Sequence, residues 1–433
     1  MMNDKKLIAR DSYLKKLIAF QDTELIKVIT GIRRCGKSSL LELMREHLKK
    51  QGVSQKQIIS INFESMAFSE MTVNELYKSV SEKVIKGKKM YLFFDEVQLM
   101  KDWQKAINSF RVDFDCDIYI TGSNAYLLSS ELSTYLSGRY VEIKVLPLSF
   151  AEFITFQGYT ISERKLPDGS TKKVLYDKEQ EQADLRDMFD MYIKYGGMPS
   201  IADVGLDEEK VAAVLDGIYS AVIVRDILER GKRKNTRNVN DPLLLRKLMM
   251  FLADNIGNNT SANSITNTLI NEKLIDAKPA VQTVSAYIDA LTESFVFYEI
   301  QRFDIKGKEY LRTLGKYYIV DMGLRNYLLG YKSGDSGHIL ENIVYFELLR
   351  RGYSVSVGKI DNKEIDFIAT KTNEKKYIQV TESMVSPETK ERELTPLKMV
   401  QDNYEKLVIT MDKPLTTDED GIKIVNALEW LVE

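Results

Sequence analysis

The chain has 433 residues, 44% of them hydrophobic and 29% charged, with 23 Gly and 8 Pro, a composition that excludes collagen-like, mucin-like and largely disordered chains. Lys and Arg number 61 against 63 Asp and Glu, so any nucleic-acid partner must be met by a local basic patch. Two cysteines (Cys35, Cys116) and two histidines (His47, His338) are too few for a disulfide framework, a thiolate zinc site or histidine-based triads, which leaves chemistry run by carboxylates, lysine, arginine and phosphate-binding loops.

The N-terminal segment carries Leu7/Ile8, Tyr13/Leu14 and Leu17/Ile18 in helical spacing, without the apolar core or cleavage site of a secretory signal. No run approaches the ~18–20 apolar residues of a membrane span. The expectation is a soluble, cytoplasmic protein with no membrane partner. Strands are predicted over 26–30, 58–63, 90–94 and 118–121, with helices over 38–50, 73–86 and 101–111 between them. Such alternation over residues 1–150 predicts an α/β fold with a mostly parallel sheet covered on both faces.

Gly31-Ile32-Arg33-Arg34-Cys35-Gly36-Lys37-Ser38 fits the phosphate-loop pattern GxxxxGK[ST], after one predicted strand and opening a helix. Its glycines allow backbone that turns successive N–H groups toward phosphate oxygens at a positive helix end. Gly31, Gly36, Lys37, Ser38 and Ser39 are the candidate ATP-binding residues, with Lys37 on the β- and γ-phosphates and Ser38 on Mg2+. The run Met90–Glu96 reads as a buried strand, neighbouring that of the loop, which delivers two carboxylates to the sheet edge. Asp95 is the second Mg2+ candidate, acting through water, and Glu96 the residue that orients or deprotonates the attacking water. A third strand ends in Thr121-Gly122-Ser123-Asn124, where Ser123 or Asn124 would sense the γ-phosphate. Arg139 is a candidate charge-stabilising arginine, acting in cis or on a neighbouring subunit of a homo-oligomer. Cys35 reads as a permissive loop position, not a nucleophile.

Residues 160–180, with Pro167-Asp168-Gly169-Ser170 and many charges, read as a turn or exposed insertion. Helical pattern follows from 184 to 227, broken at Gly196-Gly197-Met198-Pro199. The run 230–237 is basic, with Arg230, Lys232, Arg233, Lys234 and Arg237 as candidate DNA contacts. Helices predicted over 243–252, 262–271 and 281–292, then strands over 295–302 and 309–320, are in winged-helix order. Residues 334–337 read as a linker, after which helix 340–351 and strands 355–357, 365–370 and 377–380 are predicted. From 225 to 332 there are seventeen Lys and Arg against twelve Asp and Glu, a net +5. From 333 to 433 there are thirteen against nineteen, a net −6.

The chain resembles a bacterial and archaeal family of AAA-superfamily ATPases, in which the ATPase module precedes a domain of formerly unknown function. The resemblance spans nearly the whole chain, through GIRRCGKSSLL at 31–41, LFFDEVQ at 92–98, ITGSNA at 120–125 and LSGRY at 136–140. PLSFAEF at 147–153, YGGMPS at 195–200, VRDI at 224–227 and KYYIVDMGLRN at 316–326 continue it. It implies an ASCE-type P-loop core over 1–150, a helical lid over 151–228, a winged helix over 229–332 and a nuclease-like domain over 333–433. It also implies adenine contacts at Gly197 and Pro199.

The last region resembles the PD-(D/E)xK nuclease fold through Glu341 on a helix and Asp366 at a strand. Where ExK should stand, Gln379-Val380-Thr381 appears. An amide removes charge from a hard-cation site, and Thr cannot replace an ammonium. The expectation is a degenerate site at Glu341, Asp366 and Gln379, without nuclease activity. Taken together, the sequence reads as an Mg2+-dependent ATPase that binds DNA, with branched DNA such as a Holliday junction suggested by fold analogy. The alternatives are a nucleotide switch that docks proteins, and an active nuclease using Glu382 or Lys376.

Overall fold

The apolar run Met90–Phe94 is buried on both faces, as a central strand of a covered parallel sheet must be. In the computed structural model it belongs to β3 (Met90–Asp95). The structure describes residues 7–68, 70–125, 136, 138–165, 169, 171–220, 227–228, 239–271, 279–331, 336–413 and 418–433. The candidate DNA contacts Arg230, Lys232, Arg233, Lys234 and Arg237 lie outside these residues. The chain falls into two compact units, Met1–Leu146 with Glu293–Phe295, and Pro147–Thr292 with Val296–Glu433.

The first unit contains α1 (Asp11–Ala19), β1 (Ile26–Thr30), α2 (Lys37–Lys50), β2 (Ile58–Asn62) and α3 (Val73–Ser81) before β3. After β3 come α4 (Trp103–Asp113), β4 (Cys116–Gly122) and β5 (Tyr140–Lys144). All five strands are parallel, in the order β2-β3-β4-β1-β5. The loop strand β1 and the carboxylate strand β3 are therefore not neighbours, because β4 lies between them. Leu76 and Val80 of α3 and Ala106, Ile107 and Phe110 of α4 pack with Leu92, Phe94, Ile118 and Ile120 into one core. At the other end of the sheet, Lys27 and Asp117 form a fully buried ion pair, and Tyr119 donates to the same carboxylate at 2.8 Å.

The second unit opens with α5 (Phe150–Phe156), whose cap Ser149 and third residue Glu152 exchange hydrogen bonds in a capping box. The segment expected as an exposed insertion is a small antiparallel sheet of β6 (Thr160–Lys165), β7 (Thr171–Tyr176) and β8 (Gln182–Ala183). Its charged residues sit on exposed strand faces, which hides the alternation that would announce strands. The helices α6 (Leu185–Tyr195), α7 (Pro199–Val204) and α8 (Glu208–Tyr219) follow, and Gly196-Gly197 makes the break between the first two.

Further on lie α9 (Pro242–Asp254), β9 (Asn259–Thr260), α10 (Ala262–Asn271), α11 (Val281–Glu293), β10 (Phe297–Asp304), β11 (Glu309–Ile319) and α12 (Met322–Leu329). The C-terminal part adds α13 (Ser336–Arg350), β12 (Ser354–Ile360), β13 (Lys363–Lys371), β14 (Glu374–Thr381) and α14 (Pro387–Met399). It ends with β15 (Glu405–Thr410), β16 (Asp418–Glu419), β17 (Ile422–Asn426) and α15 (Ala427–Leu431). Nine of these strands form one sheet in the order β16-β17-β15-β14-β13-β12-β10-β11-β9. The β10–β11 hairpin expected as a wing continues into that sheet, because β10 pairs in parallel with β12 from Arg302 to Asp304. The expected boundary at 332 thus falls within a region joined by backbone hydrogen bonds.

Candidate active site

β1 ends at Thr30, and α2 begins at Lys37; the six residues between them form the phosphate loop. Gly31 has φ +144°, and a Cβ there would stand 2.1 Å from the Val145 carbonyl oxygen, so only glycine fits. Gly36 caps α2 in the left-handed region at φ +101°. Lys37 is buried, and its ammonium donates to the carbonyls of Gly31 and Ile32, both at 3.1 Å. Ser38 and Ser39 stand exposed in the first turn of α2, where unpaired N–H groups and the helix dipole favour an anion. Arg33 pairs with Glu64. Cys35 is fully buried, and burial pushes its thiol up, which removes it as a nucleophile.

The edge of β3 supplies the carboxylates. Asp95 accepts from Thr121 Oγ1 at 2.5 Å, from Asn62 Nδ2 at 3.3 Å and from the Ser38 hydroxyl. Burial raises its pKa above the ordinary carboxylate value, against the opposing bonds from Thr121 and Ser38. Glu96, at φ +51°, turns the chain so that its carboxylate lies 3.5 Å from Lys37 Nζ. Burial alone would raise Glu96; Lys37, Gln98 and Arg33 outweigh it and hold the carboxyl below its usual value. The structure thus brings together Lys37, Ser38, Asp95 and Glu96, all named from sequence. Ser123 joins them through hydrogen bonding with Glu96 and Gln98, whereas Asn124 is buried beside it.

Sequence reasoning missed four participants. Thr121 links Asp95 to the Glu96 backbone, and Asn62 braces Asp95 from β2. Gln98 holds the Glu96 side chain, its Nε2 donating to Oε2 at 2.5 Å. Arg10, ahead of α1, donates to the carbonyls of Cys35 at 3.0 Å and Leu146 at 2.9 Å, which ties the phosphate loop to the chain after β5.

Arg139 requires a correction. It immediately precedes β5, whose first residue Tyr140 pairs with Ile26 at the start of β1. Its carbonyl accepts the Ile26 N–H at 2.9 Å. Parallel strands put it at the opposite sheet edge from the phosphate loop, six residue levels or about 20 Å away at about 3.3 Å per residue. An intramolecular finger role at this site is therefore ruled out.

The donor set fits Mg2+. Ser38 and Asp95 supply hard oxygen ligands side by side, and Mg2+ characteristically takes one or two protein ligands with phosphate and water.

Residues 23–154 match the AAA domain family, and residues 186–335 match a domain of unknown function, DUF8612. An uncharacterized protein of Haemophilus influenzae is 42% identical over 431 residues, covering 99% of this chain and 100% of the relative. The chain belongs to the AAA superfamily of P-loop ATPases. An uncharacterized protein of Methanocaldococcus jannaschii is 30% identical to this AAA ATPase over 445 residues, covering 98% and 90% of the two chains. Among solved structures, a Walker-type ATPase of Pyrococcus abyssi is similar, with 15% identity and a TM-score of 0.49, over 74% of this chain and 95% of that one.

In the second unit of the AAA ATPase, Gly197 works through its backbone. Its N–H donates to Asp321 at 2.6 Å, its carbonyl accepts from Leu148 at 2.7 Å, and a Cβ would lie 2.6 Å from Leu148 O. Pro199 opens α7 as its first residue, where a missing N–H costs nothing.

The same unit holds a cleft of about 500 Å³ lined by His338, Glu341, Asp366, Glu382, Arg392 and Glu393, among others. Glu341 and Asp366 line it, and the buried Gln379 bonds to Asp366, in a network closed by protein groups. Gln379 accepts the Asp366 N–H at 2.7 Å and donates to Glu393 at 2.9 Å, while Asp366 accepts the Val380 N–H at 2.8 Å. Lys316 of β11 sits 3.0 Å from Glu341 and 2.9 Å from Glu364. Burial would lower that lysine, yet Glu341, Asp366 and Glu364 hold it above its ordinary value. Burial, then repulsion from Glu341, pushes Asp366 up to about 8. Lys376 is engaged elsewhere, by Glu374 and Glu405. Among the described residues, no group of three or more His, Cys, Asp or Glu side chains is arranged to hold a metal by itself. Among them, too, no helix is long and apolar enough to cross a membrane.

Proposed function

We propose that this AAA ATPase hydrolyses ATP with Mg2+, and that Glu96 commits water to the γ-phosphate. The observation that carries this reading is Glu96, held ionised 3.5 Å from the Lys37 ammonium at the mouth of the phosphate loop. Lys37 exchanges its loop carbonyls for β- and γ-phosphate oxygens. Ser38 and Asp95 would hold Mg2+, which when bound neutralises charge on those oxygens. Glu96 accepts the proton of the attacking water, and Ser123 contacts both Glu96 and its partner Gln98. Arg139 enters only as a residue directed at a second copy of the chain.

We further read the protein as acting on DNA, with branched DNA the first ligand to test. The support is charge segregation: net +5 over 225–332 beside net −6 over 333–433. The C-terminal cleft is read as a retired nuclease site. Lys316 already pairs with both Glu341 and Glu364, and Gln379 stands where a metal-binding carboxylate is needed. Steady-state ATP turnover with duplex, single-stranded and four-way-junction DNA, with light scattering of the same samples, tests both parts. Turnover that rises with one DNA form supports the DNA reading. Slow turnover, tightly retained ADP and no DNA binding at any salt would move the assignment to a switch that docks proteins.

A further inference from the structure

We infer that Gln98 is a second catalytic residue, orienting the attacking water together with Glu96; this rests on the ATPase reading above. Gln98 lies two residues beyond Glu96, in the turn that follows β3. Its Nε2 donates to Glu96 Oε2 at 2.5 Å and approaches Ser123 Oγ at 3.3 Å. A carboxylate accepts and does not donate, so the amide nitrogen must face Glu96, and the position of the amide oxygen follows. That oxygen, Oε1, is buried and has no hydrogen-bond partner. A buried acceptor without a donor is costly, and a catalytic role or an arriving water is among the reasons a chain keeps one. Next to a general base, the donor that arrives is water.

The chemistry needs such a second acceptor. A water held by Glu96 alone can swing about one hydrogen bond. With its other hydrogen on Gln98 Oε1, both hydrogens are committed and a lone pair is directed outward. That oxygen then forms a bond to the γ-phosphorus, while the bond from phosphorus to the β,γ-bridging oxygen breaks and its electron pair leaves on ADP. The proton passes to Glu96. Gln98 gains and loses no proton.

The test uses the full chain carrying Q98A or Q98M, the second of which keeps the volume but loses both hydrogen bonds. Turnover, the KM for ATP and the affinity for ADP with aluminium fluoride, which mimics the transferring phosphoryl group, are measured alongside ADP affinity and melting temperature. Losing one hydrogen bond to the reacting water should lower kcat about tenfold to a hundredfold. Aluminium fluoride should add less to the affinity by a similar factor, whereas KM and ADP affinity stay within about threefold. Wild-type kcat in both variants would overturn the assignment. So would parallel losses of ADP affinity and melting temperature in both, which would mark a packing role. Absence of ATP turnover in the unmodified chain would instead overturn the ATPase reading, and this assignment with it.

Discussion

The hydroxyl of Thr121 accepts the backbone N–H of Glu96 at 2.8 Å, across the boundary between β4 and β3. The same hydroxyl donates to Asp95 Oδ1 at 2.5 Å, so one side chain braces both the Asp95 carboxylate and the backbone that carries Glu96. Thr121→Val keeps the shape and removes both bonds. Turnover should fall about tenfold, with ATP affinity within about threefold, since the bond to the Asp95 carboxylate contributes about 1.5–3 kcal/mol and the neutral one from the Glu96 N–H about 0.5–1.5 kcal/mol. Unchanged kcat in Thr121→Val would show that the β4 contact does not set Glu96.

Glu96→Gln and Lys37→Ala should separate turnover from binding. The amide keeps the size of Glu96 but cannot take a proton, and losing a general base costs about 10²–10⁴-fold. ATP should still bind, because Lys37 and the loop are intact. Lys37→Ala should weaken nucleotide binding as well as turnover, since the phosphates lose their buried cation. Isothermal titration with a non-hydrolysable analogue, next to steady-state rates, reads both effects. Near-normal hydrolysis by Glu96→Gln would remove the assigned roles of Asp95 and Glu96.

The phosphate loop and the Asp95-Glu96 pair are legible in sequence because each is a local pattern whose chemistry travels with its own strand. What was not legible depends on which strands meet. Thr121 acquires its role only because β4 separates β1 from β3, an order that alternating strands and helices leave open. Arg139 has a suggestive spacing, but the Ile26–Tyr140 pairing puts it at the wrong edge. Lys316 reads as one more strand lysine until β11 is set against α13 and its ammonium meets Glu341. Gln98 did carry a signal, in a polar side chain one helical half-turn beyond the general base, where a contact back is within reach.

Removing Lys316 should destabilise the second unit strongly. Its ammonium is buried between Glu341 and Glu364, and Tyr318 donates to Glu341 at 2.5 Å. Lys316→Met leaves Glu341 as a buried anion without its cation, at a cost of about 3–5 kcal/mol. Adding Glu341→Gln should restore part of that loss, because the neutral amide no longer needs a cation. Chemical denaturation of the wild type, both single variants and the double variant gives the coupling. Additive losses would show that the pair does not act as a unit.

Asp321 should give the protein a stability that falls as the medium becomes less acidic. Its carboxylate is fully buried and caps α12 by accepting the Leu324 N–H at 3.1 Å, while also accepting Gly197 N–H at 2.6 Å. Burial raises it from 3.8 to about 6, although the backbone donors and Arg350 oppose the rise. The folded chain therefore holds this proton more tightly than the unfolded chain does. Its contribution to stability is greatest below the unfolded value of 3.8 and declines as the pH climbs to about 6. The full change amounts to about 3 kcal/mol. Asp321→Asn does not titrate, so its stability relative to the wild type should improve by about that amount between pH 4 and pH 7. Other titrating groups cancel in the difference. Urea unfolding of both proteins at the two pH values measures it, and a difference independent of pH would show that Asp321 is ionised with ordinary ease in the folded chain.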